Sequence, residues 1–133
     1  MPVSKIQSII QWLDYIATIE ANPTTNKEDD HDKLPPKETI NNAKKFLNLL
    51  EDRFNSTYDK NLDVALTPNR NIEVEVEDDK ILFSTGIGMK RINYFVMGID
   101  STPKWIQGKD YTTINMDIIN EIFDEISKFI IVK

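Results

Sequence analysis

Three features of the 133-residue sequence predict an α+β domain, an antiparallel meander of about four strands with helices packed on one face. Apolar residues recur at helical spacing in three separate stretches, which predicts helices. Between them, from residue 62 to residue 97, apolar and polar residues alternate with a period of two, and short turn signals interrupt that alternation. The chain is long enough to bury a core without disulfides or metal, and one domain spanning residues 1–133 is expected.

The first helix is predicted over Ser4 to Glu20, where Ser4 and Gln7 form a capping box and Ile6, Ile9, Ile10, Leu13 and Ile16 make a stripe that Trp12 and Tyr15 widen. It serves either as a cover for one sheet face or as an arm. Asn22 to Lys33, "NPTTNKEDDHDK", has no apolar residue beyond Pro23 and several carboxylates, so residues 22–35 are expected to be a mobile acidic linker. Pro35 and Pro36 then open a second helix, where a missing amide donor costs nothing. Ile40, Ala43, Phe46, Leu47, Leu50 and Phe54 mark its buried face.

Leu62, Val64 and Leu66 predict a short strand ended by Pro68 and the turn "PNRN". In "NIEVEVEDDKILFSTGIGMKRINYF", residues 71–95, Asp78 and Asp79 are read as a two-residue turn that sets Val76 opposite Ile81 and Val74 opposite Phe83. Gly88 and Met89 make a second tight turn with glycine at its first central position. Residues 102–112 are loop or a short edge strand carrying Trp105 and Gly108. A last helix, residues 116–131, is capped by Asn115 or Thr113 and buries Ile118, Ile119, Ile122, Phe123, Ile126, Phe129 and Ile130. The two helices at 37–55 and 116–131 are placed on the same face of the sheet.

Composition narrows function by exclusion. A formal net charge of -6 argues against a nucleic-acid backbone as direct partner, since clustered Lys and Arg drive such binding. A basic protein surface suits it better. Cysteine is absent, which removes thiolate catalysis and the common zinc sites. No apolar run approaches the roughly 20 residues of a membrane span, and the N-terminal stretch does not read as a signal peptide, so the cytoplasm is the expected location. His31 in "EDDHDK" is read as part of the solvated linker rather than as a metal ligand, and "STGIGMKR" matches neither a phosphate loop nor a dinucleotide fingerprint. Nucleophile, base and orienter do not come together, so no catalytic, cofactor or metal residue is expected.

The strand parity yields a candidate binding face. Ile72, Val74, Val76, Ile81, Phe83, Ile92, Tyr94 and Val96 turn inward, leaving Glu73, Glu75, Glu77, Lys80, Leu82, Ser84, Asn93, Phe95 and Met97 outside. An acidic stripe beside Leu82, Phe95 and Met97 is the mixture that protein-binding patches show, and Trp105 is an exposed anchor candidate. The carboxylates are expected to face solvent, with Glu77 and Lys80 as a weak cross-strand ion pair. Lys90, Arg91, Lys104 and Lys109 could gather as a small basic patch at one sheet end.

From residue 35 to residue 131 the order of signals resembles a group of small, uncharacterised bacterial α+β proteins found near mobile-element, toxin-antitoxin or defence genes. The resemblance lies in "PPKETINNAKKFLNLL", "ALTPNRNIEVEVEDDKILFSTGIG", "INYF" and "WIQGKDYTTINMDIINEIF". The sequence departs from the group at Asn69 to Asn71, where a glycine-rich turn is usual, and near Val76, where an aromatic is common. The resemblance implies an α+β fold and that genomic context rather than a mechanism; an antitoxin-like or immunity-like partner protein is the reading drawn from the acidity, the mixed face and the absence of catalytic groups. Together with acidity and the mixed face, the expected function is non-enzymatic protein binding. The runners-up are an acidic phage-type inhibitor that uses Glu73, Glu75, Glu77, Asp78 and Asp79 as phosphate surrogates against a host defence protein, and a small enzyme or ligand carrier.

Overall fold

The computed structural model describes residues 5–21, 34–54, 62–67, 69–77, 81–98 and 106–128. The described residues form three helices and a five-stranded sheet: α1 (Lys5–Ala21), α2 (Lys37–Phe54), β1 (Leu62–Leu66), β2 (Ile72–Glu77), β3 (Ile81–Ile87), β4 (Ile92–Gly98), β5 (Ile106–Tyr111) and α3 (Met116–Ile126). The strands lie side by side in chain order and every pair is antiparallel, so the sheet is the expected meander with one strand more. The extra strand, β5, is the segment the sequence leaves between loop and edge strand.

One hydrophobic cluster unites all the elements. Phe46 of α2 lies at its centre, its ring centroid 6.4 Å from that of Phe83 on β3 and 4.9 Å from that of Phe123 on α3. Ile40, Ala43, Leu47 and Leu50 extend the contact along α2, while Ile119, Ile122 and Ile126 bury the matching stripe of α3. Arg53 ties the two helices, its guanidinium donating to the Asn120 carbonyl and sitting 2.9 Å from Asp124.

The first helix is neither a cover for the far sheet face nor an arm. It runs antiparallel to α2, with Gln7 donating to Glu51 at 2.9 Å and Lys44 paired to Asp14 at 2.6 Å, and Ile6, Ile10, Leu13 and Ile16 join the common core. Trp12 and Tyr15 do not widen the buried stripe: they are 41% and 63% exposed, because they fall on the flank of the helix that α2 leaves uncovered. The capping box cannot be followed, since Ser4 lies outside the described residues.

Asn115 caps α3, its Oδ1 accepting from the Ile118 amide at 2.9 Å, and the helix stops at Ile126 rather than 131. Ser127 closes it in a turn that donates its hydroxyl to the Asp124 carbonyl. Phe129 and Ile130 lie outside the described residues. So does most of the proposed linker, although its last two positions do not behave as one. Leu34 packs against the core and Pro35 is buried.

Both hairpin registers differ from the sequence reading in the same way. Glu77 pairs with Leu82, so Val76 faces Phe83 and Val74 faces Thr85, two residues further along than expected. At the other hairpin Gly88 donates to the Arg91 carbonyl at 2.9 Å and Ile87 pairs with Ile92, which moves the turn onto Met89 and Lys90. No described glycine has positive φ, so Gly88 does not serve as the left-handed turn residue. A slip of two leaves every side chain on its own face, because the side-chain period of a strand is also two. The left-handed residue is instead Arg70, at φ 66°, which closes the β1–β2 turn and donates from Nε to the Leu34 carbonyl at 2.8 Å. Asn42 of α2 holds the β3–β4 turn by donating to the carbonyls of Gly88 and Met89, each at 3.0 Å.

Candidate functional site

The sheet face away from the core cluster gathers the predicted residues. Its rows follow from the pairing: Glu77, Leu82, Met97 and Ile106 in one, Asp63, Glu75, Ser84, Phe95 and Gly108 in the next, and Ala65, Glu73, Gly86, Asn93 and Asp110 in the third. Leu82, Phe95 and Met97 are half-buried and belong neither to the core cluster nor to the partly buried residues packed against it. No described helix packs over them. Trp105, Asp78, Asp79 and Lys80 lie outside the described residues, which leaves the anchor and the Glu77–Lys80 pair without a structural account.

The face divides by chemistry. Toward β1 and β2 stand four carboxylates, Asp63, Glu73, Glu75 and Glu77, while across β3 to β5 the row Leu82, Met97 and Ile106 forms an apolar strip with Phe95 beside it. Ile106 is 67% exposed, the barest of these side chains. Sequence reasoning missed Asp63 and Ile106. The alternation in "LDVAL", with Leu62 and Val64 inward, could have placed Asp63 on this face, and the parity of β5 could have placed Ile106 there once the segment was taken as a strand.

The carboxylates do not all face solvent. Glu73 and Glu75 are half-buried, and Glu75 is pushed above its ordinary pKa, first by a hydrogen bond with Glu73, then by burial, then by repulsion from Glu73, Asp63 and Glu77. Side chains two apart on one strand and opposite one another across strands stand close enough to repel, which is the physical source of that shift. The pair lies on a broad sheet surface, away from the clefts at the turn end and beside β5. Among the described residues, no group of three or more potential His, Asp or Glu ligands could hold a metal ion.

Of the residues that could make a basic patch, the described ones fall in two places. Lys90 and Arg91 make the β3–β4 turn and line a cleft of about 480 Å³ there, whereas Lys109 lies on the helix side of β5, its Nζ 4.8 Å from the Tyr111 ring centroid. Lys104 and His31 are outside the described residues. No described helix is long and apolar enough to cross a membrane. No protein-family model matches the chain, and no curated protein and no solved structure matches it.

Proposed function

We propose that this protein is a non-catalytic binding module that docks a partner protein on the sheet face that no described helix covers. The observation that carries the reading is the division of that face: four carboxylates at neighbouring positions of β1 and β2, directly beside an apolar strip. Carboxylates gathered closely enough to push Glu75 above its ordinary pKa cost stability, and a face that keeps them has a use for the field they make. A partner with Lys and Arg opposite Asp63, Glu73, Glu75 and Glu77, and an apolar contact opposite Leu82, Met97 and Ile106, would relieve both features at once. An antitoxin-like or immunity-like role agrees with this chemistry.

The crowding of the carboxylates also supports a second reading, an acidic inhibitor that occupies a nucleic-acid-binding groove. The two differ in what they ask of the apolar strip. Capture of partners from the native cell with a tagged chain, eluted first with salt and then with denaturant, separates them. A protein docked through both halves of the face should survive high salt and be lost with Met97→Asp, whereas a phosphate-mimic complex should dissociate in salt and tolerate that change. Reversing Glu73 and Glu75 together to Lys should abolish either complex without unfolding the chain, since it exchanges repulsion from Asp63 and Glu77 for attraction to them. Retention of the partner by that double variant would reject the docking face.

A further inference from the structure

Among the described residues the sheet ends in two strands with one unpaired edge each, β1 and β5. An edge strand presents a row of amides and carbonyls that a further strand could join. The two edges are not alike. β5 sets Gly108, Lys109 and Asp110 side by side, and a glycine with charges of both signs makes a poor template for another strand. β1 carries a single charge, Asp63, and neither glycine nor proline.

The phase of the β1–β2 ladder fixes which groups point outward. Thr67 donates to the Asn71 carbonyl at 2.9 Å, so in the same register Ala65 and Asp63 exchange hydrogen bonds with Glu73 and Glu75. Leu62, Val64 and Leu66 therefore turn their amides and carbonyls away from β2, and no described strand takes them up.

Both faces of this edge are unfinished in complementary ways. On the core side Leu62 is buried, whereas Val64 and Leu66 are half-buried and only border the hydrophobic cluster. Apolar side chains from a neighbouring strand would complete their burial. On the outer side Asp63 is exposed and lies directly across from Glu75, and Ala65 lies directly across from Glu73. Like charges in opposite positions destabilise a strand pair, and a cation on the free side of Asp63 would offset that repulsion. Alanine is short, so a long basic side chain can pass over Ala65 toward Glu73, two strand spacings or roughly 10 Å away.

These demands alternate along the strand. A segment laid against residues 62–66 meets apolar surface and open backbone groups at Leu62, Val64 and Leu66, and negative charge at the two positions between. We infer that the open edge of β1 takes up an extended segment of a partner protein, apolar and basic residues alternating along it, as a sixth strand of the sheet. Main-chain hydrogen bonds attach the segment, and the alternation selects it. This strand addition rests on the docking of a basic partner already proposed, and names what the acidic half of that face receives. A second copy of the chain fits poorly. Two β1 strands paired about Val64 would bring both sets of carboxylates to one seam, with no Lys or Arg on the outer face of β1 or β2 to offset them.

The test is an NMR titration of the full chain with acetyl-Val-Arg-Val-Lys-Val-amide, which in antiparallel register sets its Arg opposite Ala65 and its Lys opposite Asp63. Saturable shifts centred on β1 are expected, with slowed hydrogen exchange at the Leu62, Val64 and Leu66 amides. A peptide with proline in place of the central valine keeps the charges but loses the donor aimed at Val64, and should bind at least tenfold more weakly. Asp63→Lys should weaken the parent peptide by about tenfold. Equal binding of the proline peptide, or binding without protection of β1, would overturn strand addition while leaving a charged docking face in place. Failure of the parent peptide to bind would reject the edge alone if the partner captured from the cell is still lost with Met97→Asp, and the whole face if it is not. A chain that sediments at twice its mass, with β1 amides protected before any peptide is added, would assign the edge to self-pairing and overturn the inference.

Discussion

Two neighbouring rows of the sheet make the sharpest contrast in the molecule. Val76, Phe83 and Val96 cross three strands in one row and disappear beneath α2 and α3, while one residue along, Glu77, Leu82, Met97 and Ile106 cross in the next row and meet no described helix. The same backbone hydrogen bonds hold both rows. The difference lies entirely in what packs on top, which shows that on this sheet burial is decided by the helices and not by strand pairing.

Deleting the covering contact should break the contrast most strongly. Phe46→Ala removes the ring that touches both Phe83 and Phe123, and should cost about 3–5 kcal/mol in urea denaturation. Phe95→Ala, on the uncovered face, should cost only about 1–2 kcal/mol. Comparable losses at the two sites would mean that the faces are not distinct in energy.

Gly108→Ala tests where the two faces meet. A Cβ at this position would collide with the Tyr94 carbonyl oxygen and come within 2.9 Å of the Phe95 Cβ, so β5 approaches β4 too closely for any side chain. The expected cost is about 1–3 kcal/mol, with the loss of protection concentrated in β5 amides by hydrogen exchange. Uniform protection in the variant would show that β4 and β5 can separate without strain.

The smallest effect should come from charge. Glu75 has a folded-state pKa above its unfolded value, so the folded state favours the protonated form. Its contribution is fully favourable below the ordinary carboxylate range and is lost as pH rises through the raised folded pKa. Glu75→Gln should therefore raise stability at neutral pH, by under about 1 kcal/mol, and the gain should shrink as pH falls toward the ordinary carboxylate value. A gain that persisted in acid would assign the effect to packing instead of to repulsion from Glu73, Asp63 and Glu77.

The period-two pattern carried most of this picture in the sequence. It assigned Glu73, Glu75, Glu77, Leu82, Phe95 and Met97 to one face correctly even though both hairpins were closed in the wrong register, because turn length changes pairing without changing parity when the slip is even. What the pattern could not carry was the third dimension. Trp12 and Tyr15 look like core at helical spacing, yet whether a flank is buried depends on where α2 lies, and no local signal says that. The half-burial of Glu75 has the same cause. It depends on β1, whose Asp63 pairs with Glu75 across the strands from a distant place in the sequence.

Asn42 clasps the β3–β4 turn by two carbonyls, and Arg70 of the β1–β2 turn reaches the Leu34 carbonyl just ahead of the same helix. Two loops that would otherwise fray separately are thus latched to the opening turns of α2. A hairpin that tried to unzip from this end would have to drag the helix start with it, so the three segments should open as one cooperative unit rather than by independent local fluctuations. The left-handed strain at Arg70, about 1–2 kcal/mol where glycine would incur little, is compatible with that arrangement, since the side chain glycine lacks is the one that makes the latch.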